Sequence, residues 1–366
     1  MFGKIICDLP PTKDNNRNSE GSFIKLKNGN IMFVYSRYGE KGCGDSDKAD
    51  LYAMISTDDG ETFSTPYLSL ACSDVGADNV MSVSLMRMKN GNIGMFYCQK
   101  HNSSINCIPY LAISEDEGKT WTKHIRCIHE DGYYVLCNDK CVTLDNGRLM
   151  IAVSKHEYIV DDFSPGIICI YASDDDGMTW YEITDKIKID CNITDGMDRG
   201  RIYDLTTCEE PGLAQLGDGR VWCYTRTKRG TQYEAFSEDY GKTWTKLLPS
   251  KFSSTQAPMT VKKLNNGNMI AVWSPISNYD ENIEYGDDII VAVRCPFVFA
   301  LLNPDGDFIS EYREFETDKN VGYCYPAIFE TDGGDILIGY CAGHYKDDES
   351  CLNRLRIRKI YKSELC

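Results

Sequence analysis

Short runs of alternating apolar and polar residues fill this chain, and the runs meet at pairs such as Asn-Gly or Asp-Gly. Phe23–Lys27 and Ile31–Tyr35 flank Asn28-Gly29, and the arrangement recurs at Asn90-Gly91, Asn146-Gly147, Asp218-Gly219, Asn266-Gly267 and, in the form Gly333-Gly334, near the end. Such a pair between alternating runs is the strongest short-range hairpin signal, because the tight turn demands positive φ. Downstream of the first four hairpins comes one phrase, S-x-D-x-G-x-T-[WF], at Ser56–Phe63, Ser114–Trp121, Ser173–Trp180 and Ser237–Trp244. Its Ser and Asp can bond the local backbone, its Gly supplies a positive φ, and its aromatic residue can pack between sheets. A third strand leads into this turn and a fourth leaves it. Repeats of four antiparallel strands, six in number, predict an all-β chain folded as a six-bladed β-propeller, a single domain over residues 1–366. Repeat five keeps a worn turn, Asn303-Pro304-Asp305-Gly306. Repeat six has room for three strands, the third at Leu352–Ile360, so the N-terminal Lys4–Cys7 is expected to complete it and cover two sheet edges.

Composition narrows the function. Hydrophobic residues make up 42% of the chain, and no apolar stretch is long enough to span a membrane. Met1 to Asn18 lacks the apolar core of a signal peptide. The net charge of −16 disfavours nucleic acid and anionic lipid as partners. The 17 cysteines are scattered singly, often within apolar runs, with no zinc-type C-x-x-C pair. They are expected to be reduced thiols in a cytoplasmic or anaerobic setting, and neither a metal nor a cofactor is expected.

Candidate chemistry follows from the repeat geometry. Nine residues before the second glycine of each hairpin stand Glu20, Ser82, Asn138, Glu210, Pro258 and Tyr325. The first strand nears the axis there, and a plain core strand would carry Val or Ile. The second strands end on the same face with Arg37, Lys100 and His101, Lys155 and His156, Arg226, and His344, and Arg294 opens the third strand of repeat five. Solvated strand ends carry Lys and Arg without any role in binding. Cations gathered on one face of an acidic protein nonetheless suggest a ligand with an acidic group.

These residues resemble the sialidase (neuraminidase) superfamily, whose propellers carry Asp-box, or BNR, repeats. The resemblance covers nearly the whole chain and implies a structural role for Asp58, Asp116, Asp175 and Asp239. Glu209-Glu210-Pro211 running on to Asp218-Gly219-Arg220 and Thr225-Arg226 is similar to the family phrase that carries its catalytic Glu and an Arg. Tyr325-Pro326-Ala327-Ile328, ahead of Asp332-Gly333-Gly334-Asp335-Ile336, is similar to the phrase of the nucleophilic Tyr, with Tyr323 the near alternative. Phe33–Arg37 looks like the family's F-A-E-x-R, and the loop after it offers Asp45, then Asp47, as acid/base. Arg294 looks like the third arginine of the family's carboxylate grip. Repeat one departs from the family: Glu20 stands about where the first arginine of that grip is expected, and a carboxylate there repels a substrate carboxylate unless it is protonated or paired with Arg17 or Arg37.

The resemblance implies an exo-acting sialidase-like glycoside hydrolase, active on a carbohydrate with a terminal acidic sugar. Tyr325 is its nucleophile, Glu210 the base and Asp45 the acid, a known exception to the two-carboxylate pattern of glycosidases. Arg37, Arg226, Arg294, Glu20, Asn138, His101 and His156 would meet substrate, and Asp139 and Lys140 could add contacts. Two other readings stay open. One is a glycosidase for another sugar or a uronate lyase using Tyr325 with His156 or His344. The other is a non-catalytic carbohydrate-binding propeller.

Overall fold

A computed structural model describes residues 2–101, 106–156, 165–183, 186–189, 207–276 and 294–365, with the backbone of 158–159 and 162–163. Its strands associate in antiparallel fours. The first sheet is Asn18–Lys25, Ile31–Tyr38, Ala49–Ser56 and Tyr67–Leu70. The second is Asn79–Arg87, Ile93–Lys100, Cys107–Ser114 and Lys123–Arg126. The third is Val142–Thr143, Leu149–His156, Ile167–Ser173 and Tyr181–Glu182. It is joined to the second by Tyr133–Val135, which pairs with a strand of each. Glu209–Gln215, Val221–Arg226, Thr231–Ser237 and Leu248–Ser253 form the fourth; Thr260–Lys263, Met269–Trp273, Phe297–Leu302 and Arg313–Glu316 form the fifth. In the sixth, Val321–Glu330, Ile336–His344 and Leu355–Ile360 are completed by Lys4–Leu9, in register from Lys4 opposite Lys359 to Leu9 opposite Leu355. The expected N-terminal strand is therefore in place and runs two residues further than expected.

First strands pack on first strands. Asn18–Lys25 lies against Asn79–Arg87 on one side and Val321–Glu330 on the other. Thr260–Lys263 lies between Glu209–Gln215 and Val321–Glu330, and Glu209–Gln215 also meets Leu149–His156. Alternation in the strands sends apolar side chains to both sheet faces, so a hydrophobic layer fills each gap between neighbouring sheets. Met32, Val34, Leu85, Met95 and Tyr97 fill the gap between the first and second.

The four S-x-D-x-G-x-T turns share one hydrogen-bond set. Ser56 Oγ donates to Asp58 Oδ1 (2.8 Å), Gly60 N donates to Ser56 Oγ (2.9 Å), and Thr62 N donates to Asp58 Oδ1 (2.9 Å). The same contacts recur at Asp116, Asp175 and Asp239. The glycine is needed: Gly60 has φ of 83°, and the residue before it is also left-handed. Partial burial raises the pKa of each carboxyl, but donation from the Thr hydroxyl and backbone outweighs it. All four lie below the usual range, Asp116 at about 2. The worn turn of repeat five keeps only the polar anchor, with Asn303 Oδ1 accepting from Asp305 N and Asp307 N.

Asn138-Asp139-Lys140, at the head of the third sheet, is buried and bonded to all five others. Asp139 Oδ1 accepts from Ser22 Oγ (2.8 Å) in the first sheet and Lys262 Nζ (2.7 Å) in the fifth. Its Oδ2 accepts from Ile328 N (2.9 Å) in the sixth, and its own N–H donates to Val83 O (3.0 Å) in the second. Lys140 Nζ donates to Glu210 O (2.7 Å) in the fourth.

Two outcomes follow. Each of the four turn aspartates has a folded-state pKa below its unfolded value. Their stabilisation is therefore complete above the unfolded pKa and is lost as pH falls through each folded pKa, from about 4 to about 2 for Asp116. Thermal melts over that window should fall, and Asp116→Asn should flatten the fall. Asp139→Asn removes a buried charge with partners on several sheets and should cost about 3 kcal/mol in urea unfolding.

Candidate functional site

Four first strands carry a bulge at one place. Between Ser19 and Ser22, Met81 and Ser84, Glu209 and Gly212, and Cys324 and Ala327, two residues face one on the neighbouring strand. The leading bulge residues are Glu20, Ser82, Glu210 and Tyr325, with φ of 55°, 62°, 52° and 56°; Asp139 has 54°. A left-handed non-glycine residue costs roughly 1–3 kcal/mol, and such residues gather where function imposes them. The bulge turns each side chain out of the sheet's alternation and towards its counterparts. Nine residues before the hairpin glycine is thus a position inside the strand, not at its start. Pro211 and Pro326, the second bulge residues, have no N–H to leave unpaired.

Tyr325 and Glu210, from the sixth and fourth sheets, meet: the phenol donates a short hydrogen bond to Glu210 Oε1. Arg226 Nη1 donates to Glu210 Oε2 (2.8 Å), and its Nη2 lies 3.1 Å from Glu209 Oε2. Burial raises Glu210's pKa, but Arg226 first, then Lys140, hold it below the usual carboxylate range. Burial and the Glu210 charge push the Tyr325 phenol well above its ordinary value. Glu210 is therefore an ionised acceptor facing a protonated phenol, which is the arrangement of a base beside a nucleophile. Tyr323 is buried against Phe297, with no hydrogen-bond partner for its hydroxyl among the described residues.

A second cluster surrounds Arg17. This buried guanidinium donates to Glu20 Oε1 (2.7 Å), Asp45 Oδ1 (2.6 Å) and Cys43 O (3.1 Å), and stacks on Tyr38 4.5 Å from the ring centre. Ser82 Oγ donates to Glu20 Oε2. Lys100 Nζ donates to Asp45 O (2.7 Å). Burial raises Glu20's pKa and Arg17 offsets that only in part. Burial also raises Asp45's pKa, yet Arg17 and Lys100 bring it below normal. Asp45 is the exposed member of the cluster, with 55% of its side chain accessible. Asp47 instead makes the turn, accepting from Gly44 N (2.8 Å).

Glu20, Asp45, Ser82, Lys100, Glu210 and Tyr325 line one cavity of about 50 Å³, with Cys98, Cys107, Cys137 and Tyr133 among its walls. That is room for a few waters. A larger groove of about 790 Å³, lined by Lys186, Lys188, Arg229, Lys242 and Trp244, brings no carboxylate near a nucleophile.

Other expected site residues lie outside this cavity. Arg37 stacks on Tyr52 (4.5 Å) in an outer cleft with Asp14, Lys48 and Asp50, while the next residue, Tyr38, packs on Arg17. Arg17, which the sequence reading considered only as a partner for Glu20, holds the inner place. Its signal was the polar stretch Arg17–Glu20 ahead of Phe23. Asn138 Nδ2 donates to Gly21 O (2.8 Å) and Tyr325 O (3.3 Å), beneath the pair and not open to the cavity. His101 bonds Gln99 (2.9 Å). His156 bonds Ser154 (3.1 Å) and stands edge-on to Tyr133. His344 Nδ1 accepts from Asp347 N (3.0 Å) at a turn. Arg294 is half-buried, its Nη1 donating to Cys324 Sγ (3.0 Å) and Cys351 Sγ (3.8 Å).

A family model described as the BNR repeat-like domain matches residues 75–338. No curated protein matches the sequence. Solved structures do. A protein of unknown function from Dyadobacter fermentans superposes with a TM-score of 0.73 at 17% identity, over 98% of this chain and 99% of that one. The NanB sialidase from Streptococcus pneumoniae gives 0.68 at 14%, over 100% and 71%. The intramolecular trans-sialidase from Ruminococcus gnavus gives 0.67 at 15%, over 96% of both. At these identities the likeness is one of fold.

Because Arg226 is the first charge opposing Glu210's burial, Arg226→Met should raise the Glu210 pKa. A carbon-13 carboxyl titration of both proteins reads that shift.

Proposed function

The chain belongs to the BNR repeat-like domain family, and from that footing we propose that it is a sialidase-like glycoside hydrolase built as one closed, six-bladed β-propeller. The succession of first-strand contacts and the shared hub at Asp139 support the ring, and the S-x-D-x-G-x-T turns act as its Asp-boxes. The observation that carries the activity is the hydrogen bond from Tyr325 to Glu210, beside Arg226.

Tyr325 Oη attacks the anomeric carbon of a terminal acidic sugar while Glu210 takes the phenol proton. A carboxylate base is what a phenol with a raised pKa requires. Asp45 gives a proton to the departing oxygen. Asp45 rests ionised on Arg17, so substrate binding must weaken that ion pair to raise its pKa and make it an acid. Water then attacks the same carbon with Asp45 as base, the phenolate leaves, and Glu210 returns the proton. The cavity is far below the ~300–1,000 Å³ of ordinary ligand pockets. Entry of a sugar therefore displaces the loop carrying Asp45, which Arg17 and Lys100 hold down. Arg294 grips the acid group by charge-assisted hydrogen bonds, while Arg226 stays on Glu210 and keeps it ionised. The lyase alternative needs a histidine beside Tyr325, and neither His156 nor His344 lines the cavity.

A screen of aryl glycosides, with sialic and uronic acids included, tests the reading. Tyr325→Phe and Glu210→Gln should each lower kcat/KM by roughly 10²–10⁴-fold. A Tyr325→Phe protein that turns over its substrate at the wild-type rate ends the proposal.

A further inference from the structure

We infer that Glu20 sets the sugar specificity of this site. The corner made by Glu20, Ser82 and Arg17 takes a hydrogen-bond donor of the sugar, a hydroxyl or an ammonium, and turns a carboxylate away, leaving Arg294 as the seat of the substrate's acid group. The inference rests on the hydrolase reading and adds which groups of the sugar go where.

Three observations carry it. Among the described residues, the charged ones lining the cavity are three carboxylates, Glu20, Asp45 and Glu210, and one ammonium, Lys100. A second acid entering there meets like charge in a poorly solvated space. The guanidinium groups behind the lining are already engaged. Arg17 is shared by Glu20 and Asp45, and Arg226 by Glu209 and Glu210. Neither offers a fork to a substrate carboxylate without giving up one it holds. Arg294 differs: its side-chain partners among the described residues are the sulfurs of Cys324 and Cys351, weak acceptors that an incoming carboxylate readily replaces. Glu20 is also buried and leads a left-handed bulge equivalent to those of Glu210 and Tyr325, so its carboxyl is fixed relative to the reacting pair. The raised pKa of Glu20 agrees, since burial already penalises its charge before any further anion arrives.

The experiment compares two aryl ketosides that differ at one group, a sialic acid and its carboxamide, with wild type and Glu20→Gln. The carboxylate-to-carboxamide ratio of kcat/KM should rise about tenfold or more in Glu20→Gln, the loss of one repelling charge. Ser82→Ala leaves the Arg17–Glu20 pair intact and removes a donor that favours the charged form of Glu20, so it should move the ratio the same way by a smaller factor. Thermal melts identify a variant that has lost its fold, and the remaining variant then decides. A ratio that neither folded variant changes overturns the assignment of Glu20. Wild type that cleaves neither ketoside nor any other glycoside overturns the hydrolase reading instead. Dissociation constants of the free sugar acid and its amide, measured by calorimetry, then give the same ratio and judge Glu20 on their own.

Discussion

One buried carboxylate organises this molecule. Asp139 is buried, and its oxygens accept hydrogen bonds from donors in the first, fifth and sixth sheets. Its flanking residues extend the demand. The Asn138 amide donates to the carbonyl of Tyr325, and the Lys140 ammonium to the carbonyl of Glu210. The two residues that share the short hydrogen bond are thus held by their backbones from the same tripeptide. An error in the placing of any one sheet would leave a buried polar group unpaired. The geometry of the reacting pair and the association of the sheets are one constraint.

Parts of this were legible in the sequence because they are local. A hairpin turn and an S-x-D-x-G-x-T turn are each closed by residues within a few positions of one another, so their residue types reveal them. The distance from hairpin to bulge is also constant, which is why counting back from Gly29, Gly91, Gly219 and Gly334 reaches Glu20, Ser82, Glu210 and Tyr325. The count misses by one in the third repeat, where Asp139 and not Asn138 takes the left-handed backbone. Arg37 lies outside the cavity, and a strand end gives no sign in the sequence of which way its side chains turn. Arg17 was undervalued because it precedes the recognisable part of its repeat. The sulfur partners of Arg294 come from chain positions 324 and 351, and no local pattern links them to it.

Charge in the site is arranged in closed pairs. Arg226 answers two glutamates, and Arg17 answers a glutamate and an aspartate, so each guanidinium is shared between two carboxylates. Arg226 and Lys140 keep Glu210 ionised, while burial and the Glu210 charge keep Tyr325 protonated. Asp45, at the surface end of the Arg17 cluster, is the member best placed to leave its partner.

The sixth sheet is a seam between the first strand of the chain and one of the last. Lys4 faces Lys359, Leu9 faces Leu355, and Gly3 N is bonded to Glu364 Oε1 (2.9 Å). Lys4 and Lys359 therefore lie at the same end of an antiparallel pair. A tension applied to them would load the rungs of that ladder singly, like a zipper, and not all together as in shear. The molecule would open there at modest force, with its other sheets still assembled.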